Sequence, residues 1–429
     1  EYLAEVWLNG QPIGGHENGE TPFELDATSA LRAQANILAV RVVKPGSKDR
    51  IDGLILGEIP HRNQNDYGVY QPGMGYNTSG IVLPVELRLV PAVRIADMFA
   101  RPDVATGRIE VQVTIRNDTG KPQTGKLAAA VAAAREGDCL HEAAMPMAAS
   151  PGDSVHHVTL SVGSPRLWSL DDPYLYRVTA DLQAGDGSPY EHESSVRCGF
   201  REFRVVDGFF HLNGQRVFLR SSHTGNHFPI GHVVPPDPAL MRRDLFMAKA
   251  SGFNCLRFIA GMPYPDQLDC CDEIGLMVYE ENLATWVLGD SPQMAERYDR
   301  AFREMVLRDR NHPSVTIWGM INEMQDGPVF RRAVHDLHLV RDLDPTRLVL
   351  LASGRWDAQP TIGSVSNPGS REWEPVWGVE GPGAPQVNPT LNWSPGGYID
   401  RAGDANFYPM LHKKPEFAKM LRKLGADTK

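Results

Sequence analysis

Cysteines, long apolar runs and excess positive charge are all scarce in this chain of 429 residues. The 5 cysteines show no CxxC spacing, so we expect buried or free thiols rather than a disulfide framework or a zinc site. No apolar run approaches the roughly 20 residues that span a bilayer, and no membrane segment is expected. The net charge of −10 argues against nucleic acid as a partner, because phosphate binding requires a basic face. The sequence contains no convincing metal-ligand cluster or Gly-rich phosphate loop, so no cofactor is expected.

The composition is that of a folded, multidomain protein. A hydrophobic content of 42% and a charged content of 22% are ordinary for a globular chain, and the length predicts two or three domains. The 40 glycines and 33 prolines indicate many turns between short strands.

The first 92 residues have the pattern of a β-domain. Residues 2–8 form a predicted strand that runs into Asn9-Gly10, the dipeptide that favours a two-residue hairpin. Further strands are predicted at residues 37–43 and at residues 82–90, where apolar and charged side chains alternate.

Residues 93–202 indicate a second β-domain. Strands are predicted at residues 109–115, 158–162 and 176–182, with turn residues between them. Short strands at this regular spacing predict an immunoglobulin-like β-sandwich.

From residue 203 onward strands and helices alternate, which is the pattern of a parallel α/β sheet. Asp237-Pro238 combines an N-cap residue with a proline at the first helical position and predicts a helix start. Ser291-Pro292 predicts the start of a longer helix with an apolar face. The predicted parallel strands, the first of which follows an Asn213-Gly214 hairpin, are residues 216–220, 253–258, 276–281, 314–321 and 347–351.

The most informative stretch is residues 311–323, NHPSVTIWGMINE. Its first residues end the preceding helix, because the residue before a proline is pushed out of the α region. Residues 314–321 carry no charge, as expected of a parallel strand that is buried on both faces. Asn322 and Glu323 then place an amide and a carboxylate at the carboxyl end of the strand, where (β/α)8 barrels carry their chemistry. For the dipeptide alone, a helix cap is the alternative interpretation.

This stretch resembles the acid/base strand of glycoside hydrolase family 2, the group that holds β-galactosidases, β-glucuronidases and β-mannosidases. Further resemblance lies in VWLNGQPIGGHENGETPFELD near the start, in PRLWS followed by DPYLY, and in ANFYP at residues 405–409. The resemblance implies a jelly-roll β-sandwich (1–92), an immunoglobulin-like β-sandwich (93–202) and a TIM barrel (203–429) of which about six strands are present. It also implies a fragment that lacks both ends of the natural protein.

The resemblance assigns roles to individual residues. Glu323 corresponds to the general acid/base of the family, and Asn322 to the residue that contacts the sugar 2-hydroxyl. Glu281 is expected to line the site or to orient its neighbours, and a structural role is the alternative for His227. The expected substrate-binding residues are Asn322, Arg257, Tyr408, Glu281 and His227.

A second carboxylate is missing from the pattern. Retaining glycosidases use a nucleophile roughly 5 Å from the acid/base. In the family this Glu ends strand seven in a Ser/Thr-Glu-Tyr/Phe-Gly motif, which does not occur here. We therefore expect the nucleophile beyond Lys429, and regard Glu380, Glu416 and Glu281 as the weaker candidates within the chain.

The sequence thus favours a retaining exo-β-glycosidase that acts on terminal β-linked sugars, with carbohydrate as its partner and self-association left open. One alternative is a catalytically inactive carbohydrate-binding homologue, and another is an inverting enzyme that uses an internal carboxylate such as Glu380. Residues 353–397 contain four tryptophans that either stack on sugar rings or pack this segment onto the barrel. The identity of the sugar and the cellular compartment are not predicted.

Overall fold

The computed structural model describes residues 2–46, 50–60, 80–185, 191–206, 209–224, 226, 228, 237–285, 288–324, 327–353 and 365–368. Several predictions from the sequence fall outside this part of the chain: the ANFYP segment, the tryptophans of residues 353–397, His227, Tyr408, Glu380 and Glu416.

The first unit is a three-stranded antiparallel sheet in the order β2-β1-β3. Its strands are β1 (Leu3–Leu8), β2 (Gln11–Glu17) and β3 (Leu38–Val43). The predicted hairpin is confirmed, since Asn9 and Gly10 join β1 to β2 with φ values of 54° and 80°, as a type I′ turn requires. Short 3₁₀ turns follow at Thr28–Ala30 and Leu56–Glu58.

The predicted strand at residues 82–90 is wrong. This segment has no strand structure, and Val85, Leu87 and Leu89 are 63%, 71% and 87% exposed. Alternating polarity produces a strand only where a neighbour offers backbone partners. No strand in the described part of the chain pairs with these residues.

The second unit is a sandwich of two antiparallel sheets, β4-β5-β8 and β10-β9-β6-β7. Alternate residues of β5 (Ile109, Val111, Val113 and Ile115) are fully buried in the core between the sheets, as the sequence pattern predicts. The strands are β4 (Val93–Asp103), β5 (Arg108–Asn117), β6 (Gln123–Ala133), β7 (Cys139–Ala149), β8 (Gly152–Ser161), β9 (Tyr176–Ala184) and β10 (Glu191–Cys198).

The third unit is a parallel sheet with helices between its strands, the architecture of a TIM barrel. A small antiparallel sheet of β11 (Phe203–Val206), β12 (Phe209–Leu212) and β13 (Gln215–Arg216) precedes it. The elements that follow are β14 (Ser221–Thr224), α1 (Pro238–Ala250), β15 (Cys255–Phe258), α2 (Pro265–Ile274), β16 (Met277–Glu281), α3 (Met294–Asp309), β17 (Val315–Ile321), α4 (Pro328–His335), α5 (Leu337–Leu343), β18 (Leu348–Ala352) and β19 (Val365–Ser366).

Strands β14 to β18 are parallel and adjacent in chain order, and β19 pairs with β18 in the antiparallel direction. The predicted start of α1 is confirmed, since the Asp237 side chain accepts a hydrogen bond from the backbone N–H of Ala239. Helix α3 begins at Met294, three residues after the predicted Ser291, and has no side-chain cap. Helix α3 buries the predicted apolar face against the sheet. None of the helices within the described ranges is long and apolar enough to cross a membrane.

The sequence places the first parallel strand at residues 216–220, and this prediction is wrong. The parallel strand is β14, which begins at Ser221. The backbone N–H of Val217 instead donates to the carbonyl of Phe210 at 2.8 Å, which extends the β12–β13 hairpin, and Phe218 is 80% exposed. The apolar pattern of residues 217–219 therefore belongs to the end of a hairpin, and the true strand is polar.

Candidate active site

Polar side chains from four neighbouring strands meet at the carboxyl edge of the parallel sheet. Arg257 lies near the end of β15, Glu281 ends β16, Asn322 follows β17 and Ser353 follows β18. All four are nearly or fully enclosed, with exposures of 7%, 0%, 1% and 6%. Parallel strands bring their carboxyl ends to one edge, which is why residues almost 100 positions apart in sequence are in contact.

The Glu281 carboxylate is completely engaged by its neighbours. Arg257 donates to it from Nε (3.0 Å to Oε1) and from Nη2 (3.1 Å to Oε2), and the backbone N–H of Ala260 donates to Oε2 at 2.8 Å. The Tyr279 hydroxyl donates to Oε1. Burial and the Glu281 charge raise the pKa of Tyr279 well above its ordinary value, which keeps this donor protonated. Glu281 is thus placed to orient Arg257 and Tyr279.

Asn322 is fixed by the same arginine. Its Oδ1 accepts hydrogen bonds from Arg257 Nη2 at 2.7 Å and from Ser353 Oγ at 2.8 Å. Because an arginine can only donate, this contact determines which end of the amide faces Arg257. The Nδ2 group then points the other way, and it is buried with no hydrogen-bond acceptor among the described residues. An amide donor without a protein partner is suited to a ligand oxygen.

Glu323 immediately follows this fixed amide and is only partly buried. Its φ of 50° lies in the left-handed region, which is uncommon for residues other than glycine and concentrates at functional sites. The turn directs the chain away from β17 after Asn322. The two glutamates of the edge therefore differ, since Glu281 is fully buried among hydrogen-bond donors and Glu323 is partly exposed.

Three contributors to this site were not predicted from the sequence: Tyr279, Ser353 and Gly319. Tyr279 lies two positions before Glu281, so the period of a strand places both side chains on one face. Gly319 of β17 faces them, and a Cβ there would lie 2.6 Å from both Glu281 Cγ and Tyr279 Cε2. A glycine inside an otherwise apolar strand is a signal of such close approach.

The loop after β2 packs against helix α3 beside this edge. The Glu304 carboxylate of α3 accepts hydrogen bonds from Asn18 Nδ2 at 3.0 Å and from the Thr21 hydroxyl, and pairs with His16 Nε2 at 2.9 Å. Burial alone raises the pKa of Glu304, but these hydrogen bonds outweigh it and lower the pKa. The first β-unit is thereby attached to the barrel, close to the segment that follows β15.

One group in the described part of the chain has donor atoms close enough to hold a metal ion: Asp269, Asp272 and His312, whose atoms lie within 4.8 Å of one another. Each carboxylate already has a protein partner. Arg197 pairs with Asp269, and His312 Nδ1 lies 2.6 Å from Asp272 Oδ2. The backbone N–H of Ser314 donates to Asp272 Oδ1 at 3.0 Å. The group lies at the amino end of β17, away from the candidate site, and these partners give it a structural explanation.

Comparison with known proteins agrees with this architecture. The family model described as glycosyl hydrolases family 2, TIM barrel domain, matches residues 203–367, and the model described as glycosyl hydrolases family 2 matches residues 93–201. The chain belongs to glycoside hydrolase family 2. Its organisation is that of the family, with β-domains followed by a TIM barrel.

The relatives include named β-galactosidases, and a solved structure shares the fold. The chain is 31% identical over 334 residues to a β-galactosidase of Vibrio cholerae, covering 74% of this chain and 30% of that protein. It is 30% identical over 340 residues to a β-galactosidase of Photobacterium profundum, covering 75% and 30%. A putative β-galactosidase structure from Bacteroides fragilis matches with a TM-score of 0.69 and 23% identity, covering 86% of this chain and 53% of that one. The chain thus spans about 30% of the length of these curated relatives.

Proposed function

We propose that this family 2 chain carries the proton-donor half of a retaining exo-β-glycosidase, with Glu323 as the general acid/base. The observation that carries the proposal is the Asn322-Glu323 pair at the carboxyl end of β17. There the amide is fixed by Arg257 and Ser353, and Glu323 is partly exposed. The named β-galactosidase relatives support a β-glycoside as substrate.

Each residue has a distinct task in the proposed reaction. The carboxyl group of Glu323 protonates the glycosidic oxygen as the leaving group departs, and its carboxylate then takes a proton from water. Asn322 Nδ2 donates to a hydroxyl of the bound sugar. Arg257 and Glu281 neutralise each other and hold Asn322 in place, so they act as positioning residues.

The nucleophile is proposed to lie beyond Lys429, as expected from the sequence. Tyr408 and His227 remain proposed sugar contacts that lie outside the described residues. Self-association remains open.

The test uses the full-length protein with phenyl β-glycosides as unactivated substrates and p-nitrophenyl β-glycosides as activated ones, beginning with the galactoside and the glucuronide. Glu323→Ala should lower kcat/KM for unactivated β-glycosides by a factor of about 10² to 10⁴. Azide should restore part of the turnover of an activated substrate, with a β-glycosyl azide as product, because the small anion enters the space left by the carboxylate. Glu296→Ala, on the exposed surface of α3, is the matched control and should leave kcat/KM unchanged.

Unchanged kinetics in Glu323→Ala would refute the assignment. Binding of a sugar without turnover by the unmutated full-length protein would instead favour the carbohydrate-binding alternative. An α-glycosyl azide would indicate that a different carboxylate had been removed.

A further inference from the structure

A small cavity lies between the β-sandwich and the amino-terminal edge of the parallel sheet, at the opposite end of the strands from the candidate active site. Three arginines line it: Arg101 of β4, Arg201 from the segment after β10, and Arg347, which precedes β18. None of the described residues that line the cavity is acidic. The cavity is thus enriched in positive charge at the junction of two domains.

Arg201 has no anionic partner in the described part of the chain. It is 8% exposed, and its guanidinium donates only to backbone carbonyls: Nε to Pro313 at 3.0 Å, Nη2 to Val315 at 2.8 Å and Nη1 to Thr346 at 3.2 Å. These hydrogen bonds occupy three of its five N–H groups, and carbonyl dipoles do not neutralise its charge. Burying an unpaired charge is costly unless a counter-ion accompanies it.

The other two arginines of the cavity differ from Arg201, because each has a carboxylate partner. Arg347 pairs with Asp344, at 3.0 Å from Nη1 to Oδ2, and Arg101 pairs with Glu110. Two of the three guanidinium groups thus form an ion pair with a carboxylate, and Arg201 forms none among the described residues. In addition, Arg101 Nε is buried and has no acceptor among the described residues.

The charge on Arg201 persists near neutral pH. Burial and the neighbouring Arg347 lower the pKa of Arg201 to about 9, while Asp344 and Asp272 act in the opposite direction. Arg201 is therefore protonated at pH 7. The cavity thus combines a buried guanidinium that forms no ion pair in the described part of the chain with an unused N–H donor.

We propose that this cavity is a binding site for a small monovalent anion of the chloride class, held by the guanidinium groups of Arg101 and Arg201. One negative charge would pair with the one guanidinium that forms no ion pair, and an acceptor-only ion suits the unused Nε of Arg101. Because the lining comes from both the β-sandwich and the barrel, a bound anion would stabilise the junction between these domains.

The test is the thermal unfolding of the full-length protein at pH 7 in sodium chloride and in sodium gluconate at equal ionic strength. Gluconate is a large polyhydroxy carboxylate outside the chloride class, so it serves as the reference for the general effect of salt. We expect chloride to raise Tm by about 1–3 °C at a concentration tenfold above its Kd, and the rise to saturate. Equal Tm values in the two salts would overturn the proposal.

Two variants test whether the chloride-dependent rise in Tm comes from this cavity. Arg101→Gln removes one anion ligand and leaves the hydrogen bonds of Arg201 to the backbone intact, so it should fold and lose the chloride-dependent rise. Arg116→Gln is the matched control, because Arg116 lies on neighbouring strand β5, pairs with Asp153 at the surface and does not line the cavity. A chloride effect that is retained in Arg101→Gln would place the ion elsewhere and refute the site.

A crystal grown in sodium bromide would show the position of the anion directly, because bromide scatters anomalously. An anomalous peak is expected within hydrogen-bond distance of Arg101 Nε and the Arg201 guanidinium. An ordered water with no anomalous signal at that position would contradict the proposal.

Discussion

Replacing Glu281 by Gln should destabilise the barrel by about 3–5 kcal/mol, the usual cost of breaking a buried ion pair. The side chain is 0% exposed and accepts hydrogen bonds from Arg257, Tyr279 and the backbone of Ala260. Glutamine keeps the shape but turns one oxygen into an NH₂ group that faces these donors. About two charge-assisted hydrogen bonds are then lost, each worth about 1.5–3 kcal/mol, and the Arg257 charge is left without a carboxylate. The cost of the broken ion pair and the sum of the lost hydrogen bonds thus give similar values for the loss of stability.

The assay is urea unfolding of the full-length protein, with the barrel transition followed by near-ultraviolet circular dichroism. Glu273→Gln is the matched control. That carboxylate bridges Arg197 at 2.9 Å and Arg242 at 2.8 Å but is 26% exposed, so its loss should cost only about 1 kcal/mol. Equal losses of stability in the two variants would refute the argument that the full burial of Glu281 makes its ion pair with Arg257 costly to break.

Three further predictions concern packing and pH. Gly319→Ala should lower the free energy of unfolding by about 1–3 kcal/mol, measured in urea, because its Cβ would clash with Glu281. Gly163→Ala is the control, because a Cβ there meets nothing within 4 Å. Equal losses of stability in the two variants would contradict the prediction. Burial and the neighbouring Asp309 raise the pKa of Glu280. The stability that protonated Glu280 contributes is therefore complete below about pH 4.3, the unfolded pKa, and is lost as pH rises through the folded pKa. Glu280→Gln should therefore raise Tm at pH 8 more than at pH 5. A Tm difference between variant and wild type that does not increase with pH would refute this prediction. Burial alone lowers the pKa of His312, but the carboxylate it contacts outweighs burial and raises it. The stability that His312 contributes is complete below about pH 6.5 and lost above the folded pKa, so His312→Gln should lower Tm at pH 5.5 far more than at pH 9.

Local patterns in the sequence were sufficient where neighbouring residues determine the conformation. The Asn9-Gly10 turn and the buried strand β17 follow from backbone preference and from the absence of charge. The strand predictions for residues 82–90 and 216–220 were wrong, because strand formation also depends on a pairing strand, and an apolar pattern does not show whether one is present. Strand β14, with the sequence Ser-Ser-His-Thr, carries no apolar signal, and only its contacts with β15 define it as a strand.

The same division holds at the candidate site. Asn322 and Glu323 could be selected from their position at the end of an uncharged strand. Tyr279 and Ser353 could not, because their roles arise from contacts with Glu281 and Asn322 across strands. Glu281 was expected either to line the site or to orient its neighbours, and its sealed environment favours the second.

The most direct test of the account is the dependence of Glu323→Ala on the leaving group of the substrate. If Glu323 donates the proton, kcat/KM of the full-length protein should fall by about 10² to 10⁴ for a methyl or phenyl β-glycoside, whose leaving group needs protonation. For a 2,4-dinitrophenyl β-glycoside, whose leaving group departs unprotonated, the fall should be less than about tenfold. Equal falls for both substrates would contradict the assignment of Glu323 as the proton donor.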